Sequence, residues 1–415
     1  MRRSGPRCAR EGTLTASLGV EPHCAPASNL LNQHAPLPLN TSRLAIPALL
    51  IALHAYIGLR LIPALPLSTA GRVCAVLLLL ASCVLIPLGM SYRSIRDPAW
   101  SDRAAWTGMT AIGLFSSLFV FTLLRDLALF VAWLSAPAAE FAEIEELSAL
   151  AVVIGAAAAS IVGAFNARRR ARIVEVSIPM PNLPASLDGF TIVQISDVHV
   201  GPTIKRDFVS AIVAAVNALD ADVIAVTGDL VDGTVQRLAA HVAPLQHLRS
   251  RHGSYFVTGN HEYYSGASAW IRELRRLGLN VLLNEHVVLE HAGAQLVLAG
   301  VTDFSGHHFH DTHRSDPATA VKGAPDRAIR ILLAHQPRTA PAAAAAGFDV
   351  QLSGHTHGGQ FWPWNHFVRY QQPFTAGLHR LDSLWIYISR GTGYWGPPKR
   401  IGAPSEITRI RLVSG

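Results

Sequence analysis

Polar side chains that can bind metal ions follow five short apolar runs in the second half of the chain. Each is a histidine, an aspartate or an asparagine that lies within a few residues of the end of its run. Because ligands gather at the carboxyl ends of the strands in α/β sheets, we expect these side chains to converge on one crevice. The candidate metal ligands are Asp197, His199, Asp229, Asn260, His335, His355 and His357, with His261 beside them.

The apolar runs predict the strands that must position these residues. They are short and rich in β-branched residues, and Ala-rich helical stretches separate them, which indicates an α/β domain from residue 173 onward. Each polar residue alone has an ordinary explanation, such as a turn for Asp197 or Asp229 and a satisfied core position for His335. Their coincidence with five strand ends favours a shared site. The runs span residues 190–195, 222–227, 255–258, 329–334 and 349–353.

The residue types narrow the metal chemistry. Four histidines, two aspartates and one asparagine suit manganese, iron or zinc, and include too many imidazoles for magnesium or calcium alone. All four cysteines precede residue 90, so the second half cannot hold a cysteine zinc site. Seven protein ligands exceed one tetrahedral set, so we predict two divalent ions bridged by one carboxylate. Two ions about 3.5–4 Å apart form the clamp used in phosphoester hydrolysis, which predicts a hydrolase.

The order and spacing of these residues resemble those of the calcineurin-like metallophosphoesterases over about residues 188–415. The extended form of the last motif, with Ser389-Arg390-Gly391 and Glu406 further on, is similar to the bacterial membrane-attached branch of that family. The resemblance implies a two-sheet β-sandwich flanked by helices. The motifs that carry it are Asp197-Val-His199, Gly228-Asp229, Gly259-Asn260-His261-Glu262, His335 and Gly354-His355-Thr356-His357.

The resemblance also implies a role for each site residue. His261 would steady the phosphate and protonate the leaving oxygen, because the attack needs an acid opposite the water. Glu262 either orients His261 or supports a loop, and Asp232 is interpreted as a turn or helix-entry residue. The implied ligands are Asp197, His199 and His357 for the first ion, Asn260, His335 and His355 for the second, and Asp229 as the bridge.

The first 170 residues carry the apolar excess of a chain whose mean hydropathy is +0.28 and whose charged fraction is only 15%. Four apolar stretches, 44–65, 71–91, 107–134 and 148–166, are each long enough to cross about 30 Å of hydrocarbon as a helix. We therefore predict four membrane spans, with three as the alternative. The expected organisation is a disordered leader at 1–42, a transmembrane region at 43–167, a basic linker and first strand at 168–187, and a metallophosphoesterase domain at 188–415.

Arginines collect on one side of the predicted spans. They precede the first, separate the second from the third and follow the fourth, whereas the loop between the third and fourth holds four glutamates and neither Lys nor Arg. This asymmetry predicts a multi-pass inner-membrane protein with both termini in the cytoplasm. Arg125 and Asp126, inside the third stretch, are interpreted as charges that reach the interface from near a helix end.

Charge and composition also bear on the partners. The formal balance is +6 for residues 1–172 and +1 for residues 173–415, so the basic excess belongs to the membrane half, which weighs against nucleic acid as a partner. The expected partners are the lipid bilayer and a phosphodiester or pyrophosphate substrate at its cytoplasmic face. The alternatives are a tethered enzyme with a soluble substrate and a membrane sensor that binds phosphate without hydrolysis.

An aromatic segment follows the last metal motif, at residues 361–370. Trp362 and Trp364 are predicted to lie at the membrane interface and to hold an acyl chain near the metals, because indole rings favour that boundary. Together with the branch resemblance, this predicts a lipid-linked substrate such as a UDP-diacylglucosamine-type precursor of lipid A. In the alternative interpretation these rings pack in the core of the domain or shape a polar pocket.

Overall fold

Helices make up the first part of the described chain. The structure, a computed structural model, describes residues 41–135 and 137–415. The predicted leader therefore lies outside the described residues, except for its last two, which begin the first helix. The helices are α1 (Thr41–Leu61), α2 (Thr69–Met90), α3 (Pro98–Ser135) and α4 (Ala138–Arg168).

Among the described residues, three helices are long and apolar enough to cross a membrane. They are α2, α3 and the Glu140–Arg168 part of α4, whereas the apolar part of α1, Ala45–Leu61, is shorter. Only 11%, 28% and 22% of the residues in the three apolar windows are buried, as expected for helices whose side chains face lipid. Helices therefore lie where the four apolar stretches predict them, but a count of four spans is not confirmed.

The charges within the helices make hydrogen bonds and ion pairs between helices. Arg125 is buried and donates to the carbonyl oxygens of Arg60 at 3.1 Å and Glu145 at 2.9 Å, and to Ser148 Oγ at 3.0 Å. Asp126 forms an ion pair with Arg60 at 2.9 Å. These contacts join α1, α3 and α4, so both charges serve the packing of the helices.

From Arg172 onward the described chain folds into two mixed sheets of six strands each. The strand order is β1-β12-β2-β3-β4-β5 in the first sheet and β10-β11-β9-β8-β7-β6 in the second. Their bounds are β1 (Arg172–Met180), β2 (Thr191–Ile195), β3 (Val223–Val226), β4 (Ser254–Phe256), β5 (Asn280–Val281), β6 (Glu285–His291), β7 (Ala294–Gly300), β8 (Ile329–Leu333), β9 (Val350–Ser353), β10 (Gly377–Leu381), β11 (Leu384–Ile388) and β12 (Glu406–Ser414).

The two sheets share one apolar core. Inward side chains such as Ile192 and Val223 of the first sheet form a single buried cluster with Ile331 and Leu352 of the second. Outer helices cover the other faces, so the α/β domain predicted from the sequence is observed. These helices are α5 (Arg206–Asn217), α6 (Val235–Val242), α7 (Asn260–Ser265), α8 (Ala267–Arg276), α9 (Pro317–Val321) and α10 (Ala340–Ala345).

Parallel pairing sets the position of the site. Strands β2, β3 and β4 are parallel neighbours in the first sheet, and β8 and β9 are parallel neighbours in the second. Their carboxyl ends therefore meet at one end of the sandwich. Strand β1 pairs with β12 over nine residues, so the first sheet begins at Arg172, within the segment assigned to the linker and first strand.

Candidate metal centre

The loops after these strands turn sharply through left-handed backbone. Asp197, His199, Asp229, His355 and His357 all have positive φ angles, between 50° and 71°. Such conformations cost a non-glycine residue on the order of 1–3 kcal/mol and persist where the surrounding structure enforces them, which is common at functional sites. The clustering of five in one crevice therefore marks a functional site rather than ordinary turns.

One group of candidate ligands comprises Asp197, His199 and His357, all buried. Nε2 of His199 lies 3.0 Å from Nε2 of His357, which in turn lies 3.4 Å from Oδ1 of Asp197. The backbone N–H of His355 donates to both oxygens of Asp197 at 3.0 Å and fixes this carboxylate. Three donor atoms thus converge on a point that one ion could occupy.

The second group comprises Asp229, His335 and His355. Nε2 of His335 lies 3.1 Å from Oδ2 of Asp229 and 3.2 Å from Nδ1 of His355. The same Oδ2 lies 4.0 Å from Nε2 of His199 in the first group. Asp229 therefore stands between the two groups, where a bridging carboxylate would be needed.

Two further features fit a divalent ion. Oδ1 of Asn260 is buried without a hydrogen-bond partner among the described residues, which is costly unless a ligand takes that oxygen. A Cβ atom on Gly259 would lie 2.2 Å from Oδ1 of Asp229, and one on Gly354 would lie 2.1 Å from Oδ2 of Asp197. Glycine at both positions keeps the carboxylates free to face an ion.

His261 lies beside these groups and contacts two carboxylates. Its Nδ1 contacts Oδ1 of Asp232, its Nε2 lies 4.0 Å from Oδ2 of Asp229, and its backbone N–H donates to Oδ1 of Asp229 at 2.8 Å. Burial lowers the pKa of His261, but the two carboxylates outweigh burial and raise it to about 9. Without bound metal, this imidazole is therefore protonated at neutral pH.

Asp232 contacts two candidate site residues, which its interpretation as a turn or helix-entry residue does not predict. Besides contacting His261, its Oδ2 lies 3.2 Å from Nδ1 of His199, the ring nitrogen that points away from the ligand group. A carboxylate on that nitrogen fixes the orientation of a metal-binding imidazole. The signal in the sequence was its spacing, three residues after Asp229 on the same loop.

The hydrogen bonds of Glu262 distinguish between the two roles that the sequence allows for it, which are to orient His261 or to support a loop. Its buried carboxylate accepts hydrogen bonds from the N–H groups of Gly259 at 2.7 Å, Asp229 at 3.0 Å and Leu230 at 2.8 Å. Burial, helped by the charge of Asp229, raises the pKa of Glu262 to about 8 despite these donors. Glu262 therefore supports the loop that carries Asp229, and no contact with the His261 side chain is needed for that role.

Arg93 brings the membrane region to the edge of the site. It belongs to the loop between α2 and α3, and its guanidinium donates to Oδ1 of Asp232 and to the carbonyl oxygen of Tyr264, both at 3.3 Å. The hydroxyl of Tyr92 donates to the carbonyl oxygen of Asp232 at 2.9 Å. The sequence pointed to Arg93 only as a marker of topology, because nothing in its spacing links it to Asp232.

Two aromatic rings border His261. The ring of Tyr264 lies 5.3 Å from the imidazole and that of Trp395 lies 5.8 Å from it, measured between centroids. Both rings are about half exposed, at 51% and 53%. The accessible side of His261 therefore lies next to two aromatic rings that are themselves partly exposed to solvent.

Trp362 and Trp364 do not pack in the core of the domain. Nε1 of Trp364 donates to Ser116 Oγ of α3 at 2.8 Å, and the ring of Trp362 lies 6.2 Å from that of Phe121 on the same helix. Both indoles remain about two-fifths exposed. The structure places them against a membrane helix and shows no contact between either ring and the candidate metal ligands.

Comparison with known proteins identifies the family. The sequence profile of the calcineurin-like phosphoesterases matches residues 190–359, a range that contains every candidate metal ligand. An uncharacterized metallophosphoesterase of Aquifex aeolicus is 31% identical over 243 residues, which cover 58% of this chain and 91% of that protein. The chain belongs to the calcineurin-like phosphoesterase family. Members of this metallophosphoesterase family hydrolyse phosphoesters with divalent metal ions, so the domain is that of a phosphoesterase.

Two further relatives are more similar to this chain in sequence. The chain is 42% identical over 275 residues to a transmembrane protein with metallophosphoesterase domain from Bos taurus, which covers 64% of this chain and 62% of that protein. An uncharacterized metallophosphoesterase of Helicobacter pylori is 37% identical over 253 residues, with coverage of 60% and 66%. The chain thus spans somewhat less than two-thirds of the length of these relatives.

Proposed function

We propose that this protein is a membrane-bound, two-metal hydrolase of phosphodiester or pyrophosphate bonds. The observation that carries the proposal is the position of Asp229, whose Oδ2 lies 3.1 Å from His335 in one ligand group and 4.0 Å from His199 in the other. One carboxylate between two sets of donors is the arrangement that two bridged ions require. The proposed ligands are Asp197, His199 and His357 for one ion, Asn260, His335 and His355 for the other, and Asp229 for both.

Two divalent ions held there would lower the pKa of water and neutralise charge on the phosphate. The residues of the chain supply the rest. Asp232 holds Nδ1 of His261, which leaves Nε2 to face the substrate, and a proton on Nε2 can pass to the leaving oxygen. A positioned acid of this kind contributes about 10²–10⁴-fold to a rate. The imidazole-rich donor set suits manganese, iron or zinc.

We place the catalytic domain on the cytoplasmic face of the inner membrane. Both arginine-rich segments, the loop after α2 and the end of α4, lie on the side of the helices where the domain packs, as Arg93 at Asp232 illustrates. The positive-inside rule assigns such segments to the cytoplasm. With α1 as a fourth span, both termini would be cytoplasmic. Alkaline phosphatase fused after Gly415 should then be inactive in cells, and activity there would reverse the orientation.

We propose further that the substrate is a phosphoester of a membrane lipid. The half-exposed rings of Tyr264 and Trp395 border His261 and offer apolar contact next to the reacting centre. A cavity of about 550 Å³ lies between α3, the end of α4 and the domain, and its lining includes Trp106, Arg168 and Tyr394. The lining combines apolar rings with charges of both signs, so it offers an amphipathic ligand apolar and charged contacts. A lipid A precursor of the UDP-diacylglucosamine type is one member of this class, and a soluble substrate for a tethered enzyme is the alternative.

The test uses the full-length protein in detergent, stripped of metal and then loaded with manganese, iron or zinc in turn. Hydrolysis of bis-p-nitrophenyl phosphate is measured first, with Asp229→Asn as the matched inactive variant. We expect metal-dependent turnover that this substitution abolishes. Phosphate binding without turnover under every metal would instead support a membrane sensor and overturn the proposed hydrolase.

A further inference from the structure

The loop of residues 395–401, here called the junction loop, inserts a lysine between two membrane helices. Lys399 is only 2% exposed, and its Nζ donates to the carbonyl oxygen of Gly113 at 2.8 Å, to Ser117 Oγ and to Ser160 Oγ at 3.4 Å. All three ammonium protons thus meet an oxygen of α3 or α4. Besides these oxygens, the ammonium lies 5.5 Å from the centroid of the Phe361 ring. Because no carboxylate is among these contacts and a buried cation is expensive to remove from water, each of them is needed to keep it there.

The backbone of the junction loop is bound to α4 as well. The N–H of Arg400 donates to the carbonyl oxygen of Gly163 at 2.9 Å, and Nδ2 of Asn166 donates to the carbonyl oxygen of Arg400 at 3.2 Å. A Cβ atom on Gly163 would lie 2.5 Å from Cγ of Lys399, so glycine is what leaves room for the lysine stem. The loop is therefore fixed to the helices by both its backbone and its side chain.

On its other side the junction loop is bonded to the segment that carries His357. Gln360, three residues after His357, is buried, and its Nε2 donates to the carbonyl oxygens of Trp395 at 2.8 Å and Pro397 at 3.0 Å. Its Oε1 accepts the N–H of Trp395 at 2.8 Å. Three hydrogen bonds of one side chain thus tie the loop after His357 to the junction loop.

Arg400 fills the space behind His357. It is fully buried, and its guanidinium donates to the carbonyl oxygens of Gly393 at 2.6 Å and of Arg390 and Ala403 at 2.8 Å each. Its Nη2 also lies 3.3 Å from Nδ1 of His357. A guanidinium can only donate hydrogen bonds. An imidazole that binds metal through Nε2 carries its proton on Nδ1 and cannot accept a bond there. The contact between Arg400 and His357 would therefore be a packing contact when metal is bound.

We infer that the membrane helices α3 and α4 position His357 through the junction loop, with Lys399 as the anchoring residue. The inference rests on the proposed metal centre, in which His357 binds one ion. Lys399 touches neither ion nor substrate, so it is a positioning residue. Removing a partner bonded directly to a ligand commonly weakens metal affinity by about 10–100-fold, and Lys399, which acts through the junction loop and Gln360, should fall at the lower end of that range. The membrane region is then part of the catalytic centre and not only a tether.

The test compares Lys399→Met with the parent, both as full-length protein in detergent and loaded with Co²⁺. The variant keeps a long apolar stem but cannot donate to α3 and α4. We expect one of the two Co²⁺ ions to bind about 10-fold more weakly, the visible absorption of the remaining complex to change, and kcat to fall more than KM rises. The control is Lys205→Met, a matched lysine-to-methionine change that removes the 2.9 Å ion pair of Lys205 with Asp102 of α3 across the same junction.

The outcomes of this comparison separate a failure of the inference from a failure of the proposed function. Parent-like Co²⁺ affinity and absorption in folded Lys399→Met would overturn the inference, and so would an equal loss in Lys205→Met. Failure of the parent itself to bind two ions would overturn the proposed function instead. If Lys399→Met does not fold, Ser117→Ala removes one of the three acceptors and should weaken the same ion by a few-fold, whereas unchanged binding in that variant would contradict the anchor.

Discussion

The carboxylate of Asp232 contacts Nδ1 of His261, so the other ring nitrogen of His261 faces the metal centre, 4.0 Å from Oδ2 of Asp229. This contact fixes the orientation of the imidazole and leaves Nε2 as the ring nitrogen that can face a substrate. This orientation fits the proposed role of His261 as an acid beside the two proposed ligand groups. The two residues can be separated by experiment.

Replacing His261 with alanine should leave metal binding intact and slow turnover. Because His261 supplies a proton and no ligand atom, we expect both ions to remain and kcat to fall by about 10²–10⁴-fold. Metal content by plasma mass spectrometry and turnover of bis-p-nitrophenyl phosphate measure the two effects separately. Loss of an ion from this variant would show that His261 is a ligand.

The substitution Asp232→Asn should affect both neighbouring histidines. It removes the negative charge that faces His199 and His261, so we expect weaker metal binding at His199, by about 10-fold or more, together with a lower kcat. Asp207→Asn is the matched control, because Asp207 is an exposed acid in the first turn of α5. Equal effects of the two substitutions would show that Asp232 influences the site no more than an exposed acid does.

Glu262→Ala should destabilise the domain even without metal. It leaves four buried N–H groups, those of Gly259, Asp229, Leu230 and Val231, without their acceptor, and each such loss costs about 1–3 kcal/mol. We expect a clear fall in the thermal unfolding midpoint of the metal-free protein. Glu290→Ala, at an exposed position of β6, should change it little. A midpoint equal to that of the parent would mean that Glu262 does not support the loop.

Two glycines that line the same lysine should differ in their tolerance of alanine. A Cβ at position 163 would lie 2.5 Å from Cγ of Lys399, whereas one at Gly113 would make ordinary contacts of 3.5 Å to Pro397 and 3.6 Å to Lys399. Gly163→Ala should therefore displace the lysine stem and weaken metal binding, and Gly113→Ala should not. Metal titration of both variants checks this, and the same affinity in the two would count against the anchored lysine.

The lipid-substrate proposal predicts an effect that depends on the substrate. In Trp395→Ser the loss of an apolar ring beside His261 should lower kcat/KM on a diacylated pyrophosphate in mixed micelles by about 10-fold, which corresponds to about 1.4 kcal/mol of lost contact. Turnover of a soluble diester should change much less. The double variant Trp362→Ser/Trp364→Ser, whose rings pack on α3, serves as a comparison. A uniform loss on both substrates would favour the tethered enzyme with a soluble substrate.

The sequence reveals residues whose neighbours along the chain form a motif. Asp197 and His355 follow strand-like runs and carry the family spacing, so both the strands and the convergence of their ends could be predicted. Arg93 and Lys399 carry no such signal, because each meets its partners across more than 130 residues. Their part in the site depends on how the membrane helices pack against the domain, which no local pattern encodes. The contact of Trp364 with Ser116 was missed for the same reason.

The number of metal ions bound per chain tests the proposed function most directly. It should be measured by equilibrium dialysis against Mn²⁺ for the full-length parent and for Asp229→Asn in the same detergent. Because the two proposed ligand groups share Asp229, we expect two ions per chain in the parent and fewer than one in Asp229→Asn. Hydrolysis should be lost together with the ions. A single ion in the parent, or two ions retained in Asp229→Asn, would contradict the bridged two-metal centre.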